Sequence, residues 1–168
     1  MQNLEQKFPC PNLGATERLA SQLGAVDRGV IKQHDLFFPS HFARLKVRLF
    51  PDDPSAPAQL ISYRRPDVPT ARNSEYFVTP ILDPDTLIAV LTHALGQPRH
   101  LKKYRHLYLF KATRIHLDTI EDLGTFAEIE TVITTQPLEE AQRELTSVVH
   151  ALDLADPIPY AYVDLLPP

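Results

Sequence analysis

Phe42-Ala-Arg-Leu-Lys-Val-Arg-Leu49 alternates without a break: Arg44, Lys46 and Arg48 fall on one face of a strand, and Ala43, Leu45, Val47 and Leu49 on the other. Three further stretches repeat this division. In Asn3 to Lys7, Glu5 and Lys7 oppose Leu4. In Arg114 to Asp118, Arg114, His116 and Asp118 oppose Ile115 and Leu117. In Phe126 to Glu130, Glu128 and Glu130 oppose Ala127 and Ile129. A half-buried strand with a solvated outer face explains any one of these. Four together allow a sheet that curls until its charged faces line a lumen and its apolar faces lie beneath helices. Charges enclosed in this way are costly unless they are paired or hold a ligand. Bases mixed with carboxylates in one cavity suit a polyanion that carries a divalent metal.

Outward from that stretch, the remaining pattern is also mostly strand: residues 2–9, 27–38, 42–50, 58–65, 74–82, 99–110, 112–119 and 125–134. Three helices are expected. Residues 12–23 bring Leu13, Leu19 and Leu23 near one face behind a candidate cap, Asn12. Residues 84–95 start after Asp83 with Pro84 and stop at Gly96. Residues 137–151 carry Glu139 and Glu140 in the first turn, where the helix dipole favours acids. The proline-rich stretch from Pro51 to Pro57 is short enough for a hairpin loop. The fold class expected is α+β: an antiparallel eight-stranded barrel or tunnel with a charged lumen and about three flanking helices.

Length and composition bound the function. At 168 residues the chain fits one domain, residues 1–168, and at 43% hydrophobic and 23% charged it is an ordinary globular sequence. A net charge of −4 and the absence of basic–aromatic interleaving argue against nucleic acid as a partner. No apolar run approaches the roughly 18 residues of a membrane span, and no signal-peptide core opens the chain. The expectation is a soluble cytoplasmic protein without membrane or nucleic-acid partners; self-association as a homodimer stays open. Cys10, the single cysteine, excludes an intrachain disulfide and has no partner motif, so it reads as inert.

Several runs, taken in order, carry a resemblance. They are Asn3-Leu-Glu-Gln-Lys7, Gln33-His-Asp-Leu-Phe-Phe38, Arg44-Leu-Lys-Val-Arg48, Leu60-Ile-Ser-Tyr-Arg-Arg-Pro-Asp67, Arg72-Asn-Ser-Glu-Tyr76 and Lys103-Tyr-Arg105. Arg114-Ile-His-Leu-Asp118, Leu123-Gly-Thr-Phe-Ala-Glu-Ile-Glu130 and Tyr160-Ala-Tyr-Val-Asp-Leu-Leu166 complete the set. Together they resemble the CYTH superfamily, which contains class IV adenylyl cyclases and thiamine or inorganic triphosphatases. The segments over 60–76 and 160–166 are similar to the cyclase-labelled branch. One departure stands out: Asn3 lies where many members have the first glutamate of the N-terminal motif, which removes one negative charge.

The resemblance implies a tunnel for a triphosphate-containing small molecule: ATP, thiamine triphosphate or inorganic triphosphate. It implies Mg²⁺ or Mn²⁺ on Glu5, Asp118, Glu128 and Glu130, since hard cations take oxygen ligands and bridge substrate phosphates. Phosphate oxygens fall to Lys7, Arg44, Lys46, Arg65, Arg72, Lys103, Arg105 and Arg114, with Lys7 and Arg114 also catalytic. Arg48 is balanced between a ligand role and the rim. His116 is expected as a hydrogen-bonding partner rather than a metal ligand, and Tyr63, Tyr76 and Tyr160 as packing residues. The activity implied is an adenylyl cyclase-like conversion of ATP to cyclic AMP and pyrophosphate; the alternative is triphosphate hydrolysis.

Overall fold

The computed structural model describes residues 2–167. In chain order the elements are β1 (Gln2–Pro9), α1 (Leu13–Gln22), β2 (Val26–Phe38), β3 (Arg44–Leu49), β4 (Ala58–Arg64), β5 (Arg72–Ile81), α2 (Pro84–Leu95), β6 (Arg99–Phe110), β7 (Thr113–Ile120), β8 (Gly124–Ile133), α3 (Leu138–Ala151) and α4 (Tyr162–Leu165). The helix signals act as expected. Asn12 Oδ1 accepts from the Ala15 amide at 3.1 Å and opens α1. Asp83 Oδ1 accepts from the Thr86 amide at 3.1 Å ahead of Pro84, and Gly96, at φ 96°, ends α2 where a side chain would be strained. The fourth helix, α4, was not expected: its single turn is too short for a helical period to show. No helix among the described residues is long and apolar enough to cross a membrane.

The strands close into one ring in the order β1-β5-β4-β3-β2-β6-β7-β8, with β8 returning to β1. Every pairing is antiparallel. Consecutive strands pair as hairpins except where α1 separates β1 from β2 and α2 separates β5 from β6. The connection from β3 to β4 is the Pro51–Pro57 loop foreseen from its prolines.

Apolar side chains pack outside the ring. Leu145 and Val148 of α3 lie with Ile115, Leu117, Ala127 and Ile129 of β7 and β8, and Ala20 of α1 joins the same cluster. Leu87, Ile88 and Leu91 of α2 cover Leu36, Phe38 and Val47. A third cluster fills one end of the ring: Tyr162 and Val163 of α4 meet Leu101, Ile120 and Phe126. The ring is therefore apolar outside, plugged at one end, and polar within.

Candidate active site

The two-residue period of each strand sends one row of side chains inward. The inward rows enclose a cavity of about 450 Å³, within the range of small-molecule sites. The strand register orders it from plug to mouth. Near the plug lie Lys7, Lys103 and Arg65; farther out come Arg48, His116 and Glu130; the mouth carries Ile31, Val78, Leu107 and Arg114.

One wall, from β2, β3 and β6, is basic and built on a single carboxylate. Asp35, 1% exposed, accepts from Lys46 Nζ at 2.8 Å and from Arg48 Nε and Nη2 at 2.7 and 2.8 Å. Lys103 Nζ stands 3.9 Å from the same carboxylate. Burial alone would raise the Asp35 pKa, but Arg48 and Lys46 outweigh it and hold the group well below its usual range. The cations are affected in the opposite sense. Burial, then the Arg48 charge, pulls Lys46 down to about 8 despite Asp35. Burial, then Arg105 and Arg48, puts Lys103 well below an ordinary lysine. One buried acid does not satisfy three cations, and the wall is short of negative charge.

The opposite wall, from β1, β7 and β8, joins acids to bases in a chain. Lys7 Nζ pairs with Glu128 Oε1, and Arg105 Nη2 reaches Glu128 Oε2 at 2.6 Å. Arg105 also forks onto Asp118 through Nε at 2.7 Å and Nη2 at 2.6 Å, and the Tyr162 hydroxyl donates to Asp118 Oδ2 at 3.0 Å. The Lys7 ammonium sits 4.0 Å from the centre of the Tyr162 ring. Burial would raise the Glu128 pKa, but Lys7 and Arg105 bring it well below normal. Burial likewise opposes Arg105 at Asp118, yet its pKa lies at about 2. Glu5 goes the other way: burial, then Glu128, raises it.

Beside Glu128 is a group with metal-binding spacing. One ligand atom each from His116, Glu128 and Glu130 lies within 4.8 Å of the others. His116 Nδ1 is buried without a hydrogen-bond partner among the described residues, 3.6 Å from Glu128 Oε2 and 4.0 Å from Glu130 Oε1. Burial, then Arg105, lowers the His116 pKa and favours the neutral ring that ligates. An orphaned imidazole nitrogen facing two carboxylates fits a divalent cation.

Of the residues nominated from sequence, Glu5, Lys7, Lys46, Arg65, Lys103, Arg105, Arg114, Glu128 and Glu130 line this one cavity. Three nominees do not. Arg44 lies beyond the plug, its Nη2 held by Asp67 at 2.8 Å and Asp164 at 2.7 Å. Arg72 Nη1 donates to the carbonyls of Val68 and Pro159 at 2.7 and 2.9 Å, and Nε reaches Glu5 at 3.2 Å. Asp118 is fully buried behind Arg105. Arg48 lies in the tunnel, not at the outer rim, and the two tyrosines Tyr63 and Tyr76 line it as well. Asp35 and Tyr162 are among the tunnel groups that escaped nomination. Asp35 could have been found from its phase with Ile31, Gln33 and Phe37 on β2; Tyr162 lies in the Tyr160–Leu166 run that carries the resemblance, but α4 is too short to show the phase that aims it inward.

A family model described as the CYTH domain matches residues 1–157. Among solved structures, the PH1012 protein from Pyrococcus horikoshii OT3 is similar, with 24% identity, TM-score 0.85, and coverage of 98% of this chain and 99% of that one. A putative adenylate cyclase from Vibrio parahaemolyticus shares 19% identity over 97% of this chain and 96% of its own, at TM-score 0.77. HpAC1 from Hippeastrum, described as a putative adenylyl cyclase with a dominant triphosphatase activity, shares 20% identity over 95% and 90% of the two chains at TM-score 0.64. No curated protein matches the chain.

Proposed function

The chain belongs to the CYTH family, and from that membership and the tunnel's charges we propose a metal-dependent enzyme that turns over a triphosphate inside the ring. The first reading is adenylyl cyclase-like: ATP gives cyclic AMP and pyrophosphate. The observation that carries it is the pairing of two unlike walls around one cavity. Lys46, Arg48 and Lys103 share a single carboxylate, while His116, Glu128 and Glu130 face them as a candidate cation site.

Each group has a task in this reading. Lys46, Arg48, Lys103 and Arg105 neutralise phosphate oxygens, with the arginines offering planar forks and the lysines point charges. Lys7, pinned between Glu128 and the Tyr162 ring, adds a fixed charge at the plugged end. Arg114, 3.7 Å from Glu130 and 43% exposed along its side chain, stands at the mouth, where it can follow the substrate inward. Ile31, Val78 and Leu107 make the mouth apolar, which suits an organic group rather than bare triphosphate. The ribose 3′-hydroxyl attacks the α-phosphorus, its proton passes to a carboxylate of the acidic wall, and pyrophosphate leaves along the basic wall. A bound divalent ion supplies Lewis-acid charge to the phosphate oxygens. His116, Glu128 and Glu130 would hold it, and the imidazole among them favours Mn²⁺ over Mg²⁺.

Hydrolysis of the same substrates is the second reading, favoured by the triphosphatase activity ascribed to the Hippeastrum protein of similar fold. The two separate by product. ATP, thiamine triphosphate and inorganic triphosphate are each incubated with Mn²⁺ or Mg²⁺, and products are resolved by chromatography. Cyclic AMP with pyrophosphate from ATP supports the first reading, and orthophosphate with the matching diphosphate, without cyclic AMP, replaces it with the second. No turnover of any of the three contradicts both.

A further inference from the structure

Outside the tunnel, the outer faces of β2 and β6 bring together two more metal-ligating side chains. His34 Nε2 lies 3.0 Å from His100 Nδ1, with ring centroids 5.1 Å apart and ring planes at 39°. The register creates this contact. His34 stands opposite Lys102 and Leu36 opposite His100, so the histidines are diagonal neighbours on antiparallel strands. Both are out of phase with Asp35 and Lys103 and so face away from the cavity.

A shared proton between two neutral imidazoles gives this spacing, and so does a shared ion. With metal–nitrogen bonds of about 2.0–2.1 Å, nitrogens 3.0 Å apart subtend roughly 95° at the metal. That is the angle of cis ligands in a square-planar or octahedral field and is narrower than a tetrahedron requires. His106, by contrast, directs Nδ1 to Glu17 and Nε2 to Asp27 on opposite sides of its ring, so those carboxylates cannot converge with it on one ion. We propose that His34 and His100 form a second metal site, on the outer face of the β2–β6 pair, that takes Cu²⁺ with water completing its coordination.

The surroundings favour the ligating form. Burial, then His100 and Lys102, holds the His34 pKa below its ordinary value, which leaves the ring neutral near pH 7. Lys102 opposes a cation, but it is drawn towards Glu121, 3.6 Å away, whose carboxylate restores negative charge near His34. An ion here staples β2 to β6, the strands whose inner faces carry Asp35 and Lys103. The site does not depend on the function proposed for the tunnel.

Cu²⁺ is titrated into the full chain and followed by electron paramagnetic resonance, in wild type and in His34→Gln, His100→Gln and His116→Gln. The expected result is a copper signal with hyperfine coupling from two imidazoles, distinct from any one-imidazole signal of the tunnel group, its affinity lowered about tenfold or more in each outer-face variant. In His116→Gln that signal stays unchanged, which distinguishes the outer site from the tunnel. Both outer residues are partly exposed, and a thermal melt of each metal-free variant checks that it folds as wild type does. Absence of a two-imidazole copper signal in wild type, a two-imidazole signal that follows His116, or one indifferent to both outer variants overturns the site.

Discussion

Lys46 shares Asp35 with Arg48 and Lys103, and this crowding has a measurable consequence. Its pKa of about 8, against 10.5 for an ordinary lysine, means that the unfolded chain binds the extra proton between those values. The stability contributed at this residue therefore rises with pH across that window, the reverse of a lysine that gains a partner. A triphosphate supplies the missing negative charge and drives the proton back on. Binding of tripolyphosphate near pH 8.5 should thus take up protons, seen as a calorimetric enthalpy that varies with the ionisation enthalpy of the buffer. Uptake should fall in Lys46→Met; a wild-type enthalpy independent of buffer would contradict the crowded wall. At this scale the sequence was only partly legible. Strand phase marked Lys46, Glu128 and Glu130, but not which charges meet across strands. Asp35 and Arg48 become partners only once β2 pairs with β3, and Arg44, in phase with Lys46, lies beyond the plug because its strand ends there.

The strands were legible because an amphipathic strand repeats every two residues, and eight of them fall close to their expected positions. Helices with caps and a full period were legible too. The short α4 was not, although it seats Tyr162 against Asp118 and Lys7. Element by element, the outside of the ring should carry the fold. Leu145 of α3 is fully buried, so Leu145→Ala should destabilise by about 2–5 kcal/mol in urea unfolding. Leu138, at the start of the same helix and 58% exposed, should lose less than about 0.5 kcal/mol as Leu138→Ala. Equal losses at the two positions would mean that α3 does not pack on β7 and β8 as described.

Over the whole molecule, the ring encloses more like charge than its partners satisfy, so a polyanion should stabilise it. At 100-fold excess over its dissociation constant, a triphosphate should add roughly 2.7 kcal/mol, or about 5–10 °C in Tm for a chain of this size. Differential scanning calorimetry with tripolyphosphate and Mn²⁺ checks this, and an unmoved transition would count against an anion-binding tunnel. Asn3 fits the same picture, since its side-chain oxygen is buried without a hydrogen-bond partner among the described residues, leaving the acidic wall one charge poorer than the pattern the resemblance implies. The most direct test of the central claim is the rate of ATP consumption as Mn²⁺ is titrated, in wild type and in Glu130→Gln. Glu130 lines the cavity and stands 3.7 Å from Arg114, so glutamine removes a candidate ligand charge while keeping its size. The expected result is turnover that rises with Mn²⁺, ceases with chelator, and falls about 100-fold or more in a folded Glu130→Gln. Turnover that survives exhaustive chelation, or is equal in wild type and Glu130→Gln, would contradict a metal-dependent reaction in this tunnel.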